Sequence, residues 1–216
     1  ERYFGTLDKS ILSPDWLNWF IGFTEGGGGL LYSKDSAYFV LTQKESKVLE
    51  SIERVLGFGR VIMFKHRSVY SRYIVTKKEH LVLLFYLFNG NLRLEPRLKQ
   101  LYYWARLFDV LFNSRLVFVS LSDAWLSGFI VAEGRFNIVV VRREDINLLR
   151  PTYRIRLRFT LYQKGDKTLL ESMRDLIGYG YVNLHFGTNN VFRYTLDSIA
   201  SLSKLIEYLE FYKLKT

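Results

Sequence analysis

The chain has 216 residues, 49% of them hydrophobic and 17% aromatic, enough to build a sizeable core in one large domain or two small ones. It holds no long unbroken apolar run, no cysteine and no secretory signal in Glu1-Arg2-Tyr3-Phe4-Gly5, so a membrane-spanning helix, a secreted product, a disulfide scaffold and cysteine-ligated zinc are all disfavoured. The net charge of +10 is shared by both halves, with 17 basic against 11 acidic residues through Val119 and 14 against 10 after it; this fits a folded surface that meets a polyanion, a merely basic soluble protein being the plainer alternative.

In chain order, Ser13-Pro14-Asp15 supplies N-cap chemistry for a first helix that runs through Trp19-Phe20-Ile21-Gly22-Phe23-Thr24-Glu25 and is expected to stop at the glycines Gly26 to Gly29. Strands are predicted at 30–32 and 38–42, a helix at 48–56, strands at 60–64 and 70–76, and a helix at 78–88. A further amphipathic stretch, 97–112, bridges to an apolar linker at 113–120. The order then starts again. Ser122-Asp123 precedes a second helix through Trp125-Leu126-Ser127-Gly128-Phe129-Ile130-Val131-Ala132-Glu133-Gly134. Strands follow at 136–141 and 153–162, a helix at 169–177, strands at 181–186 and 191–195, and a helix at 198–208. The polar stretch between Arg142 and Pro151 reads as a hairpin loop.

The two halves are one pattern written twice. Tryptophan, glycine, phenylalanine and a closing glycine recur at a constant offset of 106 residues. Leu41-Thr42-Gln43-Lys44 is echoed by Leu161-Tyr162-Gln163-Lys164, and Gly57-Phe58-Gly59 by Gly178-Tyr179-Gly180, at an offset near 120 that the longer second hairpin absorbs. The fold class is therefore α+β, with two pseudo-symmetric αββαββα repeats over 1–112 and 121–216. Gly22 and Gly128 lie one helical turn before Gly26 and Ala132, a small-x-x-x-small spacing that lets two helix backbones meet along a narrow seam. The expectation is that the two motif helices pack on each other with their C-terminal ends side by side.

A duplicated Gly-Phe-x-x-[Gly/Ala]-x-Gly helix with an acid before its last glycine resembles the LAGLIDADG homing endonuclease family in its monomeric two-repeat form, and the later landmarks extend the resemblance over nearly the whole chain. The resemblance implies two saddle-shaped antiparallel sheets straddling a long duplex DNA site, and a monomer that hydrolyses both strands with Mg²⁺ or another divalent cation such as Mn²⁺ or Ca²⁺. It also implies an intron-encoded protein of a mitochondrion or chloroplast. By the same resemblance Glu133 matches the metal-ligating acid, the Gly26 and Ala132 carbonyls match auxiliary ligands, Gln43 and Gln163 match residues that position water, and Lys99 (or Arg97) and Lys215 match basic residues near the reacting phosphate. Gly27 departs from the pattern, standing where the first repeat should carry its acid. Glu25, two residues earlier, is rotated roughly 200° away on the helix and is poorly placed to substitute.

For DNA contact, Arg154, Arg156 and Arg158 alternate with Ile155, Leu157 and Phe159, placing the arginines on one sheet face and the apolar residues on the core face. Lys65, Arg67 and Arg72 form a shorter version in the first half, joined by Arg60, Arg142 and Arg143. Outward arginines suit phosphate contact and bidentate reading of guanine. The expected activity is double-stranded DNA binding with cleavage abolished or reduced to nicking by Gly27. An intron RNA maturase and a non-catalytic DNA-binding regulator on the same fold stand as alternatives.

Overall fold

A computed structural model describes residues 12–65, 69–143 and 152–215. The expected hairpin loop and Arg67 fall outside that range. The order is α1 (Pro14–Gly27), β1 (Gly28–Tyr32), β2 (Ala37–Gln43), α2 (Lys47–Leu56), β3 (Arg60–Phe64), β4 (Tyr70–Val75), α3 (Lys78–Phe88), α4 (Glu95–Phe108), α5 (Trp125–Glu133), β5 (Gly134–Arg143), β6 (Thr152–Lys164), α6 (Lys167–Ile177), β7 (Tyr181–Leu184), β8 (Val191–Leu196) and α7 (Ile199–Phe211). Each repeat holds a four-stranded antiparallel sheet, ordered β1-β2-β4-β3 and β5-β6-β8-β7. The chain divides into two compact units, Glu1–Ala132 with the last three residues, and Glu133–Lys213. Most of the second motif helix therefore belongs with the first repeat.

In the first unit the helices cover one sheet face. Phe39, Leu41, Tyr73 and Val75 point to that side and are fully or almost fully buried. The opposite face carries Tyr38, Val40, Thr42, Arg72 and Ile74. The second unit repeats the plan, with Phe159, Leu161, Tyr194 and Leu196 in its core. The Gly-aromatic-Gly signature has the same cause in both. Gly57 and Gly178 cap α2 and α6 in the left-handed conformation, at φ 71° and 81°. Two residues on, Gly59 and Gly180 lie against the rings of Tyr73 and Tyr194, where any side chain would strike the ring. The two phenols then donate to the carbonyls of Phe58 and Tyr179 at 2.6 and 2.8 Å.

Helix α1 begins as read, with the Ser13 hydroxyl accepting from the Trp16 amide at 3.1 Å and Pro14 in the first turn. Its end differs from expectation. None of Gly26 to Gly29 adopts a positive φ; the helix runs through Gly27 and passes directly into β1, Gly28 being extended at φ −100° and ψ 172°. Gly28 is needed for closeness instead, because a Cβ there would sit 2.6 Å from the Thr24 carbonyl oxygen. The bridging helix starts earlier than predicted, at Glu95 with Pro96 in its first turn, and stops at left-handed Asp109.

Candidate functional site

The motif helices α1 and α5 meet at their glycines. A methyl group on Gly22 would overlap the Trp125 carbonyl, and one on Gly128 would overlap the Trp19 carbonyl. These four positions map onto one another under the 106-residue offset, so the crossing is reciprocal. Each helix stacks its own aromatic pair beside the seam, Trp19 on Phe23 at 5.2 Å and Trp125 on Phe129 at 4.9 Å.

At the C-terminal end of α1, the open space beside Gly27 is bounded by the Gln43 amide and the Ala132 methyl. A Cβ built on Gly27 would lie 3.4 Å from Gln43 Nε2 and 3.5 Å from Ala132 Cβ, ordinary contact distances. Three of the residues singled out in the sequence, Gly27, Gln43 and Ala132, thus come together. Gly26 is half-buried beside them. Glu133 follows Ala132 as the last residue of α5, and Gln163 sits near the end of β6 in the position that Gln43 holds in β2.

Glu25 has a different task. Its carboxylate is buried and accepts from the Arg93 and Leu94 amides at 2.8 and 2.7 Å and from Trp125 Nε1 at 2.6 Å. Desolvation pushes its pKa up to about 7 against those hydrogen bonds. With its oxygens so engaged, Glu25 does not replace the missing acid. The Arg93 guanidinium bonds Asp123 at 2.6 Å and lies 4.8 Å over the Trp125 ring, closing a network around the start of α5. In the second repeat Val131 occupies the position of Glu25. Trp19, the counterpart of Trp125, accordingly keeps a buried indole N–H without a hydrogen bond.

Of the two basic candidates in the first half, Lys99 is exposed and pairs with Glu95 at 2.8 Å on the surface of α4. Arg97 is the one at the helix end: its Nε donates to the Glu25 carbonyl at 3.1 Å and its Nη1 to Gln100. Lys215 is exposed beyond α7.

The predicted arginine row is present. Arg154, Arg156 and Arg158 lie across from Val141, Val139 and Asn137 on the helix-free face of the second sheet. Sequence reading missed two members of that face. Arg193 lies across from Tyr162, and Arg135 sits 5.4 Å over the Tyr162 ring. The Phe192-Arg193-Tyr194 alternation carried the signal for the first of them. Arg142 pairs with Tyr153 on the opposite face, away from the row. In the first unit Arg72 and Arg60 share the helix-free face, Arg72 lying over the Phe64 and Tyr70 rings at 5.3 Å. Lys65 is exposed at the end of β3. The Nε atoms of Arg72, Arg158 and Arg193 are shielded from water and make no hydrogen bond.

A protein-family model described as LAGLIDADG endonuclease matches residues 126–216. The chain is 32% identical to "Probable intron-encoded endonuclease 4" of Neurospora crassa over 223 residues, a match covering 98% of this chain and 39% of that protein. It is 37% identical to "Probable intron-encoded endonuclease 3" of the same fungus over 97 residues, covering 44% and 17%. The chain belongs to the LAGLIDADG family, in its two-repeat form. It spans about two fifths or less of the length of these curated relatives. Among solved structures, the meganuclease I-AabMI bound to uncleaved DNA superposes with a TM-score of 0.67 at 19% identity, over 94% of this chain and 85% of that one. I-SmaMI, bound to its uncleaved DNA target in the presence of calcium ions, superposes with 0.66 at 18% identity, over 92% and 85%. At these identities the likeness is one of LAGLIDADG fold. No helix among the described residues is long and apolar enough to cross a membrane.

Proposed function

We propose that this LAGLIDADG protein is an intron-encoded, site-specific DNA-binding protein of the homing endonuclease lineage, in which the gap at Gly27 abolishes double-strand cleavage or limits it to one strand. The observation that carries this reading is the end of α1, where Gly27 leaves an open position between Gln43 and Ala132. A glycine supplies no ligand oxygen there, and among the described residues no group of three or more acidic or histidine side chains gathers around a metal position.

The donors at the motif ends suit a hard divalent cation: the Glu133 carboxylate, with the Gly26 and Ala132 carbonyls at helix C-termini that favour positive charge. One or two carboxylates plus substrate phosphate are typical for Mg²⁺, so Glu133 retains the minimum for a single ion. When bound, such an ion stabilises charge on the phosphate and lowers the pKa of attacking water. The protein's own part is to hold the helix ends in register through the Gly22–Gly128 crossing, to present Gln43 and Gln163 for orienting water, and to place Arg97 near the reacting phosphate. Lys99, turned to the surface, fits that last role less well. The helix-free faces, with Arg154, Arg156, Arg158, Arg193 and Arg135 on one sheet and Arg60 and Arg72 on the other, are the proposed duplex-contacting surfaces. Their orphaned Nε groups favour occupation by phosphate or base acceptors.

The test is cleavage of a supercoiled plasmid carrying a bound target, with Mg²⁺, by the chain as it stands and by Gly27→Asp. A Cβ at Gly27 meets only ordinary contacts, so the carboxylate is accommodated without rebuilding. The expected result is conversion of binding or nicking into double-strand cleavage. Equal double-strand cleavage by the unchanged chain overturns the role given to Gly27. If neither form cuts a DNA that it binds, the regulator reading replaces this one; stronger binding of intron RNA than of duplex favours the maturase.

A further inference from the structure

The two repeats share strand register and differ in what covers them. Leu30 pairs with Phe39 and Tyr32 with Ala37; at the same places in the second sheet Phe136 pairs with Phe159 and Ile138 with Leu157. Leu30 is 0% exposed, whereas Phe136 is 51% exposed. Along the same face, Ile138 is 72%, Val140 59% and Ile155 66% exposed, with Leu157 and Tyr153 also open. This is a continuous ladder of apolar pairs on the side of the hairpin opposite the arginine row. Such a patch on an otherwise charged protein marks a contact surface.

The first repeat shows what fills this place. Helix α4 lies along edge strand β1 with Leu101 and Trp104 fully buried. Gln100 Oε1 accepts from the Leu30 amide at 3.4 Å, and Trp104 Nε1 donates to the Leu31 carbonyl at 3.0 Å. Tyr103 stacks on Tyr32 at 4.2 Å. A carboxamide and an indole four residues apart stand one above the other on a helix, so one helix face satisfies the strand edge and covers its apolar side chains together. Strand β5 is likewise the edge of its sheet and offers the equivalent groups, the Phe136 amide and the Asn137 carbonyl.

We propose that the apolar face of β5 and β6 is the docking site of an amphipathic α-helix of α4 chemistry, supplied by polypeptide outside residues 1–216 and seated as α4 is on β1. Its apolar stripe covers Phe136, Ile138 and Ile155, and its glutamine and tryptophan bond the outer edge of β5. The site is independent of DNA contact and of the chemistry at the motif ends.

The experiment titrates an acetylated, amidated peptide with the sequence of residues 95–108 into the full chain, followed by NMR of isoleucine methyl groups. Saturable shifts are expected at Ile138 and Ile155 and not at the buried Ile52. A peptide carrying Trp104→Ala should bind at least about tenfold more weakly, the loss expected for one fully buried aromatic anchor. The chain carrying both Ile138→Asp and Ile155→Asp should lose the peptide while keeping its melting temperature and its affinity for duplex DNA, because both side chains are exposed and face away from the arginines. Absence of saturable shifts, or equal binding by the double variant, overturns the proposal. So does a concentration-dependent dimer in sedimentation that the same two substitutions dissolve, since the face would then belong to a second copy.

Discussion

Glu25 and the two motif tryptophans show how a duplicated sequence comes to carry unequal loads. Trp125 spends its indole N–H on the Glu25 carboxylate, while Trp19 faces the repeat that holds Val131 and finds no acceptor. Phenylalanine at either position removes the same ring volume, so the difference between the two substitutions isolates the N–H. Trp125→Phe should cost about 1–3 kcal/mol more than Trp19→Phe in urea unfolding, because it also strips a partner from a buried carboxylate. The ionisation of Glu25 adds a pH signature. Its folded pKa of about 7 lies above the ordinary 4.5, so the folded state holds the proton more tightly. Its stabilising contribution is complete below about pH 4.5 and is lost as pH rises to about 7, a decline on the order of 3 kcal/mol. Glu25→Gln removes that decline but turns an amide N–H₂ towards donors. The variant should therefore be less stable than the parent at pH 5, with the gap narrowing by pH 8; a gap that stays constant would mean that Glu25 does not titrate in the fold. None of this was visible in the sequence beyond the departure at Gly27. The partners of Glu25 lie 68, 69 and 100 residues away, and no local pattern marks them. The choice of Arg97 over Lys99 failed to show for a related reason, since it depends on which side of α4 meets the end of α1.

At the scale of elements, the sequence was most legible where spacing carries the physics. The small-x-x-x-small pattern foretold the α1–α5 crossing because only hydrogen lets the Gly22 and Gly128 backbones approach the facing carbonyls. Alanine at Gly128 gains about 1 kcal/mol of helix propensity but drives a methyl into the Trp19 carbonyl, a backbone group that yields only if the helices separate. Gly128→Ala should lower stability by about 2 kcal/mol or more in thermal or urea unfolding. Gly27→Ala, meeting its neighbours at 3.4 and 3.5 Å, should be near neutral. Similar costs at both positions would mean that the helices do not cross at the glycines. Alternation on β6 was equally readable as to face, arginines on one side and apolar residues on the other. It was silent on coverage. Phe159 is buried, yet Ile155 and Leu157 are exposed, because the β5–β6 hairpin extends past the helices that pack on its base. Period-two patterning reports which residues share a face, and only a partner element decides whether that face becomes core.

For the molecule as a whole, charge sets the energetics of its proposed partner. An excess of ten positive charges attracts any nucleic acid, so affinity alone does not identify the duplex-contacting surface. Salt dependence does, when it is read one residue at a time. Each phosphate contact that is lost should reduce the slope of log K against log salt by about 0.9, because one fewer set of condensed counterions is released. Arg156 lies in the row on the helix-free face, whereas Arg142, only two residues from the β6 register partner of Arg154, lies on the other side with Tyr153 and the exposed isoleucines. The two arginines carry the same charge on the same hairpin. A general electrostatic attraction therefore responds equally to the loss of either, and docking through the arginine face responds only to Arg156. Titrating target duplex from about 50 to 200 mM salt, a span over which several phosphate contacts change affinity by orders of magnitude, separates the two cases. Arg156→Ala should flatten the slope by about 0.9 if that arginine meets phosphate, or leave the slope and cost 1–3 kcal/mol at one base position if it reads guanine. Arg142→Ala should leave both unchanged, and a matching loss from Arg142→Ala would place the DNA elsewhere on the protein.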